Sequence, residues 1–307
     1  MRLVLTTLVL LLAGCITGGS AMGDVIRKLS GVQTGWYQVT PLLHLAEDGA
    51  LELPPASSLE EENDAPYMER VLQTHQKQFH PVPSLPAGAD CADVLGPDGP
   101  RGGTLYVFVH GIGGVGNEWV GVIPTLARTQ PAGMYMYKWF AYAERGAILA
   151  GLLDGVHRLA QCYPDNPIVL LGHSAGGVLG AFAASRFKLE QHEHGLLLVT
   201  VASPLAGVGA LVPTDEHDDR TQFFNDLGAA RSGYPAAAPN VTVLHLRTQY
   251  PADNVMKPSR AGYQPNALSA VVKGARLVDL PATLGHDDSL LYAARQLALG
   301  RLVPVTP

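Results

Sequence analysis

Apolar residues gather in short runs from position 104 onward: 104–109, 134–138, 168–171, 196–202, 241–247 and 275–280. Each run is rich in aliphatic or aromatic residues and is bounded by glycine, proline or polar residues, the pattern of strands buried on both faces. Between them, 118–128 and 144–161 read as helices, and the small-residue stretch from Val178 to Ala184 opens another. Strands that alternate with helices imply a mostly parallel sheet with helices on both faces. The functional site of such a sheet lies at the carboxyl ends of its strands.

Upstream the pattern is looser. Trp36 to Thr40 and Ala50 to Leu53 flank Asp48-Gly49, which predicts an opening β-hairpin. The apolar residues Tyr67, Met68, Val71, Leu72 and Phe79 fall on one face of a helix predicted over 64–79, with Asp64 as its cap and Pro66 in its first turn. A Pro- and Gly-rich connector, 81–103, leads to the main fold. Further on, 208–240 has no clear strand and reads as a lid over the cleft. Within it, Asp215, Glu216, His217, Asp218 and Asp219 form a solvated charge run, since five adjacent residues cannot converge on one ion.

The 307 residues are 47% hydrophobic and 16% charged, enough to bury a large core within a single α/β domain. The net charge of −6 comes without a Lys/Arg cluster, which sets nucleic acid aside as a partner. Met1-Arg2 and the apolar stretch 3–12 read as an export signal, too short to span a membrane well. Its end, Leu12-Ala13-Gly14-Cys15, resembles the lipobox of bacterial lipoproteins. That likeness implies cleavage before Cys15, a lipidated first residue and stable anchoring to a bacterial membrane. Ile16 rather than aspartate after the cysteine points to the outer membrane if the host is Gram-negative. The expected organisation is a signal at 1–14, a lipidated tether at 15–35 and one domain at 36–307, with an N-terminal extension at 36–103. Two cysteines remain, Cys91 and Cys162. In an oxidising compartment they form either one disulfide or two separate buried thiols, and spacing leaves both open.

Candidate chemistry centres on Gly172-His173-Ser174-Ala175-Gly176, a G-x-S-x-G at the end of an apolar run and the start of a helix. A serine in that turn is lifted above the sheet, and the two glycines remove side chains that would collide there. His110-Gly111-Ile112-Gly113-Gly114 ends the run 104–109, where glycines let backbone amides face a cleft. Asp253 follows the run 241–247, and His286 follows 275–280. The order Ser174, Asp253, His286, with Gly-His-Ser-Ala-Gly-Gly, His-Gly-Ile and Gly285-His286-Asp287, resembles the lipase and esterase branch of the α/β-hydrolase superfamily from about residue 104 to the end.

That resemblance implies the α/β-hydrolase fold and a serine carboxylic-ester hydrolase. In it Ser174 is the nucleophile, His286 the base, Asp253 the acid that orients it, and the amides of Ile112 and Ala175 the oxyanion hole. His110, on the oxyanion side, and His245, in mid-strand, are read as structural. Asp279 and Asp226 are the rivals of Asp253. No metal or organic cofactor is expected, because the triad needs none and no Cys/His spacing resembles a zinc site. The expected partners are an ester or lipid substrate and, through the anchor, a membrane. Acyl transfer and thioester hydrolysis on the same triad stay open, as does a non-catalytic surface lipoprotein on a degenerate hydrolase fold. Oligomeric state is not legible.

Overall fold

The computed structural model describes residues 35–38, 90–95, 102–111, 117–119, 121–139, 145–190, 192–205, 233–248 and 271–302. Cys15, the second hairpin strand at 50–53, the helix expected at 64–79, most of 208–240, Ile112 and Asp253 lie outside the described residues.

The described strands are β1 (Gly35–Gln38), β2 (Leu105–Val109), β3 (Gly133–Lys138), β4 (Ile168–His173), β5 (Leu196–Val201), β6 (Val241–Arg247) and β7 (Arg276–Asp279). They form one sheet in the order β1-β3-β2-β4-β5-β6-β7. β1 runs antiparallel against β3, and every other neighbouring pair is parallel. The described helices are α1 (Cys91–Leu95), α2 (Val122–Ala127), α3 (Arg145–Cys162), α4 (Ala175–Ala183) and α5 (Asp288–Ala298).

β2, β4 and β5 are buried at every position, which explains why their sequences are apolar but for Thr200 and the terminal His173. The two-residue period of a strand divides them between two cores. Leu105, Val107, Val109 and Leu170 pack with α3 and α4 on one face. Tyr106, Phe108, Val169 and Leu171 pack with α2 and α5 on the other. In α3 the stripe Ile148, Leu152, Val156 and Leu159 is fully buried, and the spacing of four, four and three places it on one side of the helix.

Three departures from the expected elements have local causes. The connector 81–103 contains α1, whose first residue, Cys91, is disulfide-bonded to Cys162 at the end of α3 across 71 residues, with α-carbons 5.1 Å apart. In the chain-entropy account a loop of this length is worth roughly 4 kcal/mol, and it ties the extension to the core. The helix expected at 118–128 is divided into a 3-10 turn, Asn117–Trp119, and α2, which starts after Gly121. Pro124 falls in the first turn of α2, where a missing N–H costs no helical bond.

The described end of the expected lid, 233–240, is held against the body of the fold. Tyr234 is buried, its hydroxyl donates to the Leu205 carbonyl at 2.9 Å, and its ring meets Phe182 edge-on at 5.0 Å. The Ala238 N–H donates to the Ala184 carbonyl at 2.9 Å. This stretch therefore runs beside the end of α4 toward the start of β6, pinned by buried polar groups.

Candidate active site

β4 ends at His173 and α4 begins at Ala175, so Ser174 alone makes the turn between them. Its φ of 51° and ψ of −123° lie outside the regions an L-residue adopts easily. Such a conformation costs about 1–3 kcal/mol and persists only where the surroundings enforce it. Here they do. A Cβ on Gly172 would stand 2.5 Å from the Gly177 α-carbon, and one on Gly176 would stand 2.1 Å from the Val109 carbonyl oxygen. Only hydrogen in those two places lets α4 start this close to β2 and β4. The Ser174 N–H donates to the Val201 carbonyl on β5 at 2.9 Å, and the residue is 8% exposed. Ala175, the first helical residue, has no carbonyl four places back within the helix to receive its N–H.

The turn after β2 lies against this serine. A Cβ on Gly111 would be 3.0 Å from the Ser174 Cβ and 3.5 Å from its Oγ. His110 holds that turn from beneath. Its Nε2 accepts the Trp139 N–H at 3.0 Å, so the ring proton is on Nδ1, which donates to the Gly111 carbonyl at 2.7 Å. The Trp139 indole stacks on the ring within 6° of parallel and donates from Nε1 to the His110 carbonyl at 2.9 Å. Burial holds the His110 ring below its ordinary pKa, against the pull of the nearby Glu118 charge. His110 is thus a neutral support, with both nitrogens committed.

Glu118, in the 3-10 turn, is the residue that sequence reasoning missed. Its Oε1 accepts the Gly111 N–H at 2.7 Å and stands 3.5 Å from His173 Nδ1. Burial alone would raise this carboxyl. The His173 ring, the His110 ring and the Gly111 N–H outweigh burial and hold it below the ordinary glutamate value. A lone carboxylate beside Trp119 gave no signal of this, because its partner His173 is 55 residues away in the chain.

His286 lies in the loop between β7 and α5. The loop is shaped by its own polar groups: Ser289 Oγ donates to the Gly285 carbonyl at 2.6 Å, and the Gly285 N–H donates to Asp288 at 3.4 Å. The His286 ring centroid is 4.8 Å from that of His173, and His173 Nε2 faces the His286 backbone oxygen at 3.2 Å. The structure thus brings His286 beside the residue that precedes Ser174. Among the rivals, Asp279 is taken up by Arg247 in an exposed pair, with Nε 2.9 Å and Nη2 2.6 Å from Oδ1. His245 is buried between Thr200 Oγ1 at 2.7 Å and the Val272 N–H at 3.2 Å. Burial, with a smaller contribution from Arg247, depresses its pKa to about 4. Among the described residues no group of three His, Cys, Asp or Glu could hold a metal ion, and no helix is long and apolar enough to cross a membrane.

Residues 106–217 match the family described as alpha/beta hydrolase fold. No curated protein matches the chain. Similar solved structures include a putative thioesterase from Silicibacter sp. TM1040, at 18% identity and TM-score 0.47, covering 65% of this chain and 77% of that one. Est1E from Butyrivibrio proteoclasticus, with ferulic acid bound, is similar at 15% identity and TM-score 0.43, covering 66% and 91%. A soluble variant of monoglyceride lipase from Saccharomyces cerevisiae, with a substrate analog, is similar at 13% identity and TM-score 0.44, covering 68% and 89%. Likeness at this level carries no substrate from those proteins to this one. The parallel sheet, the strained serine turn between β4 and α4, and the family match over the same region give this chain the α/β-hydrolase fold.

Proposed function

We propose that the chain is a serine carboxylic-ester hydrolase of the lipase and esterase kind, with Ser174 as nucleophile, His286 as base and Asp253 as the acid that orients it. The observation that carries this reading is the Ser174 turn, held at a strained φ of 51°, and the contact of the His286 ring with His173, the residue before it, supports it. Strain of this kind has no packing purpose at a small side chain and suits a hydroxyl presented to substrate. His286 takes the Ser174 Oγ proton as oxygen attacks the acyl carbon. The tetrahedral oxyanion then faces the amides of Ala175 and Ile112. His286 returns the proton to the leaving alcohol, and water clears the acyl-enzyme by the same steps in reverse order.

A lipidated Cys15, by its lipobox likeness, belongs to the same reading and would hold the enzyme at a bacterial membrane, the outer membrane if the host is Gram-negative.

The experiment is labelling with a fluorophosphonate probe together with turnover of p-nitrophenyl butyrate. The wild type should label and turn over. Ser174→Ala should lose labelling and fall on the order of 10⁴-fold or more in kcat. Near wild-type turnover by the folded variant would remove Ser174 from the mechanism. Acyl-CoA thioesters and alcohol acceptors in the same assay separate thioester hydrolysis and acyl transfer from ester hydrolysis.

A further inference from the structure

We propose that Glu118 and His173 are positioning residues of this reaction: one buried acid–imidazole pair ties the Gly111 turn to the loop carrying His286, and so sets the two sides of Ser174 relative to each other. The inference rests on the serine hydrolase reading and deepens it.

Two loops must meet across Ser174 for the chemistry to work, one after β2 and one after β7. Those strands are not neighbours, since β4, β5 and β6 separate β2 from β7 in the sheet. Sheet hydrogen bonds therefore do not fix one loop against the other. Glu118 and His173 do. Glu118 Oε1 holds the Gly111 N–H at 2.7 Å, and the same oxygen faces His173 Nδ1. The opposite nitrogen of that ring, Nε2, faces the His286 backbone oxygen, and the two imidazole rings are in contact. The chain of contacts is Gly111, Glu118, His173, His286. It passes directly under the residue that attacks.

The pinned groups are the ones that matter. With its N–H on Glu118 and its carbonyl on His110, Gly111 has both peptide groups fixed. Gly111 directly precedes Ile112, the donor proposed above, in the chain. Oxyanion stabilisation depends on donors held in place before charge develops.

Both nitrogens of His173 face oxygen atoms, Glu118 Oε1 at 3.5 Å and the His286 carbonyl at 3.2 Å, with Asp287 at 4.0 Å beyond, so the ring has a polar neighbour on each side and bridges the two loops through both.

The test measures turnover per active site, counted by the stoichiometry of fluorophosphonate labelling, so that loss of folded enzyme is separated from loss of rate. Glu118→Ala should lower kcat per site roughly 100-fold with KM within about threefold. It should weaken binding of an alkyl trifluoromethyl ketone, which mimics the tetrahedral adduct, by a like factor. Glu118→Gln keeps an oxygen for the Gly111 N–H and should lose only about tenfold. If Glu118→Ala does not fold, Glu118→Gln and His173→Phe carry the test, the latter keeping ring packing and losing both nitrogens. Unaltered kcat per site with a reduced active fraction is the signature of a purely structural role and overturns the inference. A wild type whose Ser174 is not labelled by the fluorophosphonate overturns the serine hydrolase reading and this inference with it. A labelled wild type with unaltered variants overturns this inference alone.

Discussion

At Ser174 the backbone stands where only its neighbours can hold it, and Gly176 is the one pressed against the backbone of β2 and the residue after it. Its missing Cβ would meet two backbone oxygens, of Val109 at 2.1 Å and of His110 at 2.4 Å. Neither can swing aside as a side chain would. Gly176→Ala should therefore push the start of α4 away from β2, lowering stability by about 1–3 kcal/mol and moving the Ala175 amide with it. Urea unfolding and turnover per titrated site should fall together. A variant with wild-type midpoint and rate would show that the glycine is incidental to the turn. The glycines and the serine were legible in the sequence because they stand together as one local pattern, Gly172 to Gly176, even though Gly176 is constrained by Val109 and His110 far back in the chain. Glu118 was not, because what makes it matter is a pair of contacts, to Gly111 and to a ring on β4, that no local pattern encodes.

Among elements, the central strands were legible for a simple reason: a strand buried on both faces is almost wholly apolar, and in β2, β4 and β5 only Thr200 and the terminal His173 depart clearly from that. Elements whose burial comes from distant partners were harder. α1 is five residues in a Pro- and Gly-rich stretch, placed by its disulfide to Cys162 and by Tyr135, whose hydroxyl donates to the Val94 carbonyl at 2.9 Å. The stretch 233–240 has no periodicity because it is fixed by single anchors, Tyr234 above all. Between β5, β6 and the start of β7 the join is His245, neutral with its proton on Nδ1 toward Thr200 and its Nε2 accepting from Val272. Its pKa of about 4 in the fold is below the ordinary 6.5, so the unfolded chain binds the proton more readily. Stability from this residue is full above about pH 6.5 and is lost as pH falls toward 4, by about 3 kcal/mol in all. Urea midpoints between pH 8 and 4 should show this loss, and His245→Gln should flatten the profile over that range while lowering stability at pH 8. An identical slope in both proteins would mean that other groups govern the acid limb.

For the whole molecule, the sheet places the candidate site at the carboxyl ends of the strands, while the chain before residue 35 carries the proposed anchor at Cys15. If Cys15 bears lipid, two acyl signals hold the protein at a bilayer and raise the local concentration of whatever esters the bilayer presents. The active-site geometry itself is indifferent to the anchor, since nothing from Ser174 to His286 depends on the first residues for its contacts among those described. The two effects therefore separate cleanly in one experiment. Cys15→Ser, soluble and unlipidated, should match the wild type on p-nitrophenyl acetate and butyrate in solution, because the triad is unchanged. On p-nitrophenyl palmitate dispersed in phospholipid vesicles it should be slower by at least tenfold, the range that loss of a tether allows. Burial of each acyl methylene is worth about 0.8 kcal/mol, close to fourfold in affinity, so within the solution series an apolar cleft should give efficiency that rises with chain length until the cleft is full. Efficiency that peaks at acetate would identify a short-chain esterase. Equal rates for the two proteins on the vesicle substrate would show that the amino terminus, lipidated or not, does not govern how this enzyme meets lipid.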